Sequence, residues 1–215
     1  KFRMGVLAII PLTIIYLVMG LSRTGTVGDP FTDARPSQGL SMVTLAMLMF
    51  PTMLKMNLGR SDAYRASWIF FATPADRTRL VCAAKNVLVV TFLVPYLLCV
   101  AAVLAYFSDS PSHVLVHLLV IGLMSHLVLQ LVTLLEPELP FSRPMTKGRS
   151  STRVFVLMGT MGAGAVLFPL LAPVVYRRAW LTAVVIAALV ALSVAMERLT
   201  RTRIEAQARK LEFEE

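Results

Sequence analysis

Six long apolar stretches alternate with polar gaps along this chain, over residues 4–21, 40–58, 81–107, 114–135, 154–176 and 179–196. Each holds at least 18 residues, close to the ~20 that a helix needs to cross about 30 Å of hydrocarbon. The stretches are continuously apolar, without the period-2 alternation that separates lipid face from lumen in a transmembrane β-barrel. The pattern predicts an all-α membrane bundle of six transmembrane helices over residues 1–196. The first stretch follows Lys1 and Arg3, as a secretory signal would. It is longer than a signal core of about 7–15 residues, and Ser22-Arg23-Thr24 offers no small-residue cleavage site after it. It is read as a span.

Charge gives the bundle its orientation. Of the 21 Lys and Arg residues, 17 fall in every second gap or at the ends. Lys1 and Arg3 precede the first stretch. Lys55, Arg60, Arg65, Arg77, Arg79 and Lys85 surround the second gap, and Arg143, Lys147, Arg149 and Arg153 fill the fourth. Arg198, Arg201, Arg203, Arg209 and Lys210 follow the last. Cytoplasmic loops retain Lys and Arg, so both termini and the gaps at 59–80 and 136–153 are expected inside. A hydrophobic share of 57% and a mean hydropathy of +0.73 exclude an ordinary soluble domain. The formal net charge of +9 reads as loops meeting anionic headgroups, not as a nucleic-acid surface.

The gaps have their own character. Residues 22–39 are rich in turn formers and read as an external loop; Gly25 and Gly28 lack the Gly-Lys-Ser/Thr of a phosphate loop. The gap at 108–113 is short, so helices three and four form a hairpin. In helix five, Gly159 with Ala163 and Thr160 with Gly164 place small residues four apart, which admits a close neighbouring helix. Pro169 and Pro173 disturb its outer end; close packing with an irregular exit and a hinge lining a path both fit. After Met196 the helix is expected to run on as a solvated, charged tail over 197–215. Its pairs Glu197–Arg201, Arg201–Glu205 and Glu205–Arg209 are each worth ~0.2–0.5 kcal/mol on an exposed helix. Cys82 and Cys99 lie roughly 25 Å apart on one helix and cannot bridge.

The chemistry concentrates between helices two and three. Tyr64, Trp68, Phe71 and Ala72 recur at helical spacing, with Arg60, Asp62 and Arg65 toward the other side. This predicts a short amphipathic helix with aromatics at headgroup level. Thr73-Pro74-Ala75-Asp76 follows. Thr at N-cap, Pro at N1 and an acid at N3 signal a helix start at about Pro74, with Arg77 and Arg79 in an overhang and Lys85 snorkelling to the surface.

The order amphipathic helix, Thr73-Pro74, Arg77, Leu80 and Lys85 resembles the coupling segment of type-2 ABC-transporter permeases. There a Pro, an Arg, a Leu and a Gly-Lys pair lie between the second and third spans. Six spans with both ends inside match as well, so the resemblance covers nearly the whole chain. Two features depart from the family. Ala84, not Gly, precedes Lys85, and only Lys1-Phe2-Arg3 stands where the family has an amphipathic helix before its first span, so an upstream segment is expected. The resemblance implies a subunit of an ATP-driven exporter in the plasma membrane, a bacterial cytoplasmic or inner membrane. Its partners would be a second permease copy, or a homologous permease, and a cytoplasmic ABC ATPase. Tyr64, Arg65, Trp68, Phe71, Thr73, Pro74, Asp76, Arg77 and Arg79 would meet the ATPase. The chain has no Walker A sequence, so no cofactor is expected on it; ATP and Mg would sit on the partner.

No Asp or Glu lies in the middle of any stretch, which disfavours an ion-coupled carrier. His126 and Gln130, four apart, share one face of helix four. Lining a polar path and hydrogen bonding to a neighbouring helix both fit them. His113 and His117 share a face near the outer end, where interfacial placement is expected in preference to a metal site. Neither His-Glu-x-x-His nor Gly-x-Ser-x-Gly occurs, and no enzymatic activity is expected of this chain. A membrane scaffold that recruits a cytoplasmic partner without transporting anything is the alternative.

Overall fold

The computed structural model describes residues 29–31, 38–61, 64–72, 76–137, 139–142, 159, 162, 164, 168 and 170–208. The first expected span and much of the fifth lie outside the described residues. Among them the regular structure is all helical. Helix α1 covers Gln38–Leu58, and a 3₁₀ turn over Tyr64–Trp68 runs into the short helix α2 at Ile69–Ala72. Helix α3 covers Arg77–Leu88 and continues through a π-helical turn, Val89–Leu93, into α4 at Val94–Tyr106. Helix α5 is Pro111–Leu135 and α6 is Ala179–Ala208; residues 170–176 are helical as well. Among the described residues three helices are long and apolar enough to cross a membrane, namely Arg77–Tyr106, Pro111–Leu135 and Ala179–Ala206. The chain is a helical membrane protein.

Helix α5 is the hub. In its most apolar window 44% of residues are buried, against 22% for α3–α4 and 11% for α6, and it packs on α1, α4 and α6 together. Helix α1 meets it with Val43, Met47, Phe50 and Leu54, spaced four, three and four apart as a helix seam requires. The core runs along the bundle as two layers. Val43, Met47, Val100, Leu104, Val114, Leu118 and Ile121 form one. Phe50, Leu54, Leu88, Leu93 and Leu129 form the other. Between α4 and α5, Gly122 lets the helices close up: a methyl there would stand 3.2 Å from the Leu97 side chain. An added methyl at Gly159, Gly162 or Gly164 would meet nothing within 4 Å, so the close neighbour expected at Gly159 and Gly164 is not found among the described residues.

Pro51, Pro95 and Pro173 sit inside helical segments, and the first two have a visible compensation. Pro51 has no N–H for the carbonyl of Met47, four residues back. The Ser125 hydroxyl of α5 donates to that oxygen at 2.9 Å, in a place where both residues are buried. Pro95 likewise deprives the α3–α4 helix of a donor. The chain widens into the π turn just before it, and Val94 N–H reaches back to the Val89 carbonyl. A π turn is a recognised response to a break in the i→i−4 ladder.

The helix expected from Pro74 starts later. Asp76 is the N-cap of α3, its carboxylate accepting from the backbone N–H groups of Thr78 at 3.0 Å and Arg79 at 3.2 Å. Asp caps at least as well as Thr, and here it takes the role assigned to Thr73, which lies outside the described residues. The tail also differs from expectation. Helix α6 does run on past Met196, but Ile204 is fully buried against Val81, Cys82 and Leu139, so this part of the tail is docked.

If Ser125 is there to satisfy the carbonyl that Pro51 orphans, Ser125→Ala should cost about 1 kcal/mol in a bilayer or mild detergent. In a Pro51→Ala background, where the substituted residue supplies the missing N–H, the same change should cost much less. A double-mutant cycle on unfolding measures both; equal costs would separate the two residues.

Candidate functional site

The segment between α1 and α3 lies across one end of the bundle. At the end of α1, Gly59 N–H bonds back to the Lys55 carbonyl at 3.3 Å, and Phe141 N–H donates to the Leu58 carbonyl at 2.8 Å. Carbonyls at a helix C-terminus lack intrahelical donors, so the 139–142 loop closes this end. The segment then winds as the 3₁₀ turn and α2, and its inward side is not the aromatic stripe expected from sequence. Ser67 is buried, and Phe70 packs on the cluster of Val81, Cys82, Leu139 and Ile204. Trp68 and Ile69 face outward, 57% and 49% exposed. Arg65 is exposed and Tyr64 half-buried. The side chain of Phe71, with Thr73 and Pro74, lies outside the described residues. Asp76 caps α3 and pairs with Arg79 at 3.2 Å; Arg77 opens the helix, partly buried.

Two turns into α3, Lys85 is only 2% exposed and does not snorkel to the surface. Its ammonium bonds the carboxylate of Glu197 on α6. That carboxylate is shared. Arg201, four residues on, lies 3.4 Å from Oε1, and Gln130 on α5 donates from Nε2 to Oε2 at 3.2 Å. The same Gln130 amide donates to the Ser193 carbonyl at 3.1 Å. His126 Nδ1 stands 2.9 Å from the Ser193 hydroxyl. Thus His126 and Gln130, expected on one face, are brought together, and that face looks onto α6. Interhelical hydrogen bonding is what they do, and they also line a cavity.

The cavity holds about 470 Å³ and is lined by Lys85, Asn86, His126, Gln130, Ser193, Val194, Glu197, Arg198 and Arg201. Three cations face one carboxylate. Arg198 makes no ion pair among the described residues, and Gln130 Oε1 is buried without a hydrogen-bond partner among them. Glu197 lies 18 residues beyond Ala179, about 27 Å along a helix rising 1.5 Å per residue. This nearly equals the hydrocarbon thickness, so the cavity sits at one membrane boundary. A signal for it was present in the sequence: a lone Lys inside an apolar stretch implies an opposite charge at equal depth, and Glu197 is that charge.

At the other end of α5, about 20 Å from Gln130, a second polar group is built on stacked rings. His113 Nδ1 lies 2.9 Å from the Asp29 carboxylate. Phe31 stacks on both His113 and Tyr176 at 4.3 Å. His117 Nδ1 meets the Tyr176 hydroxyl at 2.9 Å. His117 is 2% exposed, buried within the protein. Among the described residues no three His, Cys, Asp or Glu side chains converge as metal ligands would.

No protein-family model matches the chain, and neither a curated protein nor a solved structure shows significant similarity to it.

The ion pair should show the asymmetry of a shielded pair. Lys85→Met alone leaves Glu197 facing the apolar bundle and should lower stability by roughly 2 kcal/mol, less than a fully buried pair because Glu197 is partly hydrated. Lys85→Met with Glu197→Leu should restore most of the loss. Unfolding in mild detergent reads both; a double variant as unstable as the single would remove the pair from this role.

Proposed function

We propose that this chain is the permease subunit of an ATP-binding-cassette exporter, with six spans, both termini in the cytoplasm, and residues 59–80 as the segment that meets a separate ATPase. The reading rests on charge asymmetry and on the resemblance of Thr73-Pro74, Arg77, Leu80 and Lys85 to the family's coupling segment. One observation carries it furthest: the 64–72 segment has two faces with different neighbours. Phe70 is packed on the ends of α3 and α6, while Trp68, Ile69 and Arg65 are turned away from the bundle. A large aromatic beside an arginine is the composition of a binding hot spot.

A mechanical route follows. A push on the outer face reaches Val81 and Ile204 through Phe70. Val81 and Lys85 are one turn apart on α3, so displacement there tilts α3 against α6 at the Lys85–Glu197 pair. ATP and Mg would be held by the partner, and energy would enter as movement of this segment. A second copy, or a homologous permease, would complete the path in a plasma membrane. In the alternative, a non-transporting scaffold, the same outer face recruits a partner but no flux depends on it.

Affinity purification in mild detergent is expected to recover an ATP-binding-cassette protein; recovery of none would end the transporter reading. Within the assembled complex, Trp68→Ala should weaken ATPase association roughly thirty-fold, the loss of one hot-spot contact of about 2 kcal/mol, and Pro74→Ala should reduce ATPase stimulation. Unchanged stimulation in both variants would take the coupling role away from this segment. A single cysteine at position 65 should react with membrane-impermeant reagents from the cytoplasmic side only, and reaction from outside would invert the topology.

A further inference from the structure

We infer that the cavity between α3, α5 and α6 is a binding site for a phosphate-bearing anion that also carries a hydroxyl. Three cations, Lys85, Arg198 and Arg201, gather on its wall at the end of helices that are otherwise apolar. Lys85 and Arg201 already share Glu197, which leaves the cavity with an excess of positive charge that Arg198 increases. An ion pair closed on itself would need no such excess. Asn86 and Ser193 add polar groups to the wall, and the volume of about 470 Å³ falls within the range of small-molecule sites. Gln130 supplies the second requirement. It is 1% exposed, spends both amide contacts on Ser193 and Glu197, and leaves Oε1 without a donor among the described residues. A buried acceptor left unpaired is costly; a small rotation of the amide would open Oε1, closed off as it stands, to a ligand hydroxyl while the cations take the phosphate.

Two sources provide that chemistry. A lipid with a glycerol headgroup presents both groups at the membrane boundary where the cavity lies, and basic pockets between spanning helices do hold such headgroups. Hydrogen phosphate from solution presents both as well. Neither depends on the coupling role proposed for residues 59–80, so a chain that binds no ATPase would still show the site.

The test uses the full chain in nanodiscs of phosphatidylcholine, alone or mixed with phosphatidylglycerol. Retained lipid is counted by native mass spectrometry, and inorganic phosphate binding is followed by phosphorus NMR in the phosphatidylcholine discs. Phosphatidylglycerol should be retained preferentially, and the preference should fall roughly five-fold for each arginine removed in Arg198→Gln and in Arg198→Gln with Arg201→Gln. The single variant breaks no ion pair described above, so it keeps the test valid if the double variant folds poorly. Arg203→Gln, an equal loss of charge at an exposed position outside the cavity, should change nothing. Millimolar phosphate binding with the same dependence, and no lipid preference, would identify the soluble ion as the ligand. Equal losses in Arg203→Gln and Arg198→Gln would mean only general surface attraction and overturn the site, as would retention of neither probe.

Discussion

A charge placed inside an apolar bundle must have its partner at the same depth, and Lys85 is the residue that imposes this on the chain. With the ammonium shielded from water, Glu197 on α6 and Gln130 on α5 are held to it. Sliding α6 by one residue along its axis would shift Glu197 by about 1.5 Å and rotate it by about 100°, which separates the charges. Three helices that contact lipid over much of their length therefore have one register. Apolar packing cannot supply that specificity alone, because lipid tails compete for the same surfaces on equal terms. The cluster of Val81, Cys82, Leu139 and Ile204 sits one turn nearer the start of α3, under the Phe70 side chain of the segment that rests on it.

The same lack of water governs the backbone. An unsatisfied carbonyl is unfavourable in hydrocarbon, yet Pro51 and Pro95 both remove a donor. They are handled in different ways. At Pro51 the compensation is tertiary: Ser125 bonds the Met47 carbonyl, and the α1–α5 contact gains a directional element. At Pro95 the compensation is local, through the π turn that widens α3–α4. Phe92 within this turn and Tyr96 just after it both pack on the layer formed by Phe50, Leu54 and Leu93. The irregularity is thus held by the core, at mid-length of the helix that begins beside the proposed coupling segment.

What the sequence made legible follows from which interactions are local. The stretches at 40–58, 81–107 and 114–135 become α1, α3–α4 and α5 with ends shifted by a few residues, because length and hydropathy are properties of the segment itself. His126 and Gln130 share a face because four residues make nearly one turn. Three features escaped. The α3 start moved to Arg77 because two good caps, Thr73 and Asp76, compete within one turn. The buried side of residues 64–72 became Ser67 and Phe70, since the surface waiting for it is built by Val81 and Ile204 from distant positions. Ile204 itself reads as one apolar residue in a charged tail, and only the tertiary fold shows that it docks.

Helix α5 ties these pieces into one device. Its buried polar residues include His117 beside Tyr176 at one end, Ser125 on the Met47 carbonyl at mid-length and Gln130 beside Glu197 at the other end, with apolar side chains from Leu118 to Leu129 packed between them. Each polar end bonds a helix that reaches it from elsewhere in the chain. A displacement at the Lys85 end has two ways to be absorbed. The bundle can shear along the apolar contacts of α4 and α6 on α5, which are non-directional and cheap to exchange, while Ser125 holds α1 at mid-length, or the hydrogen bonds at the ends can break. The first costs less. Under the coupling role proposed for residues 59–80, motion entering beside Lys85 would be carried as a tilt of α3 and α6 about α5, held at the far end by the His117–Tyr176 contact.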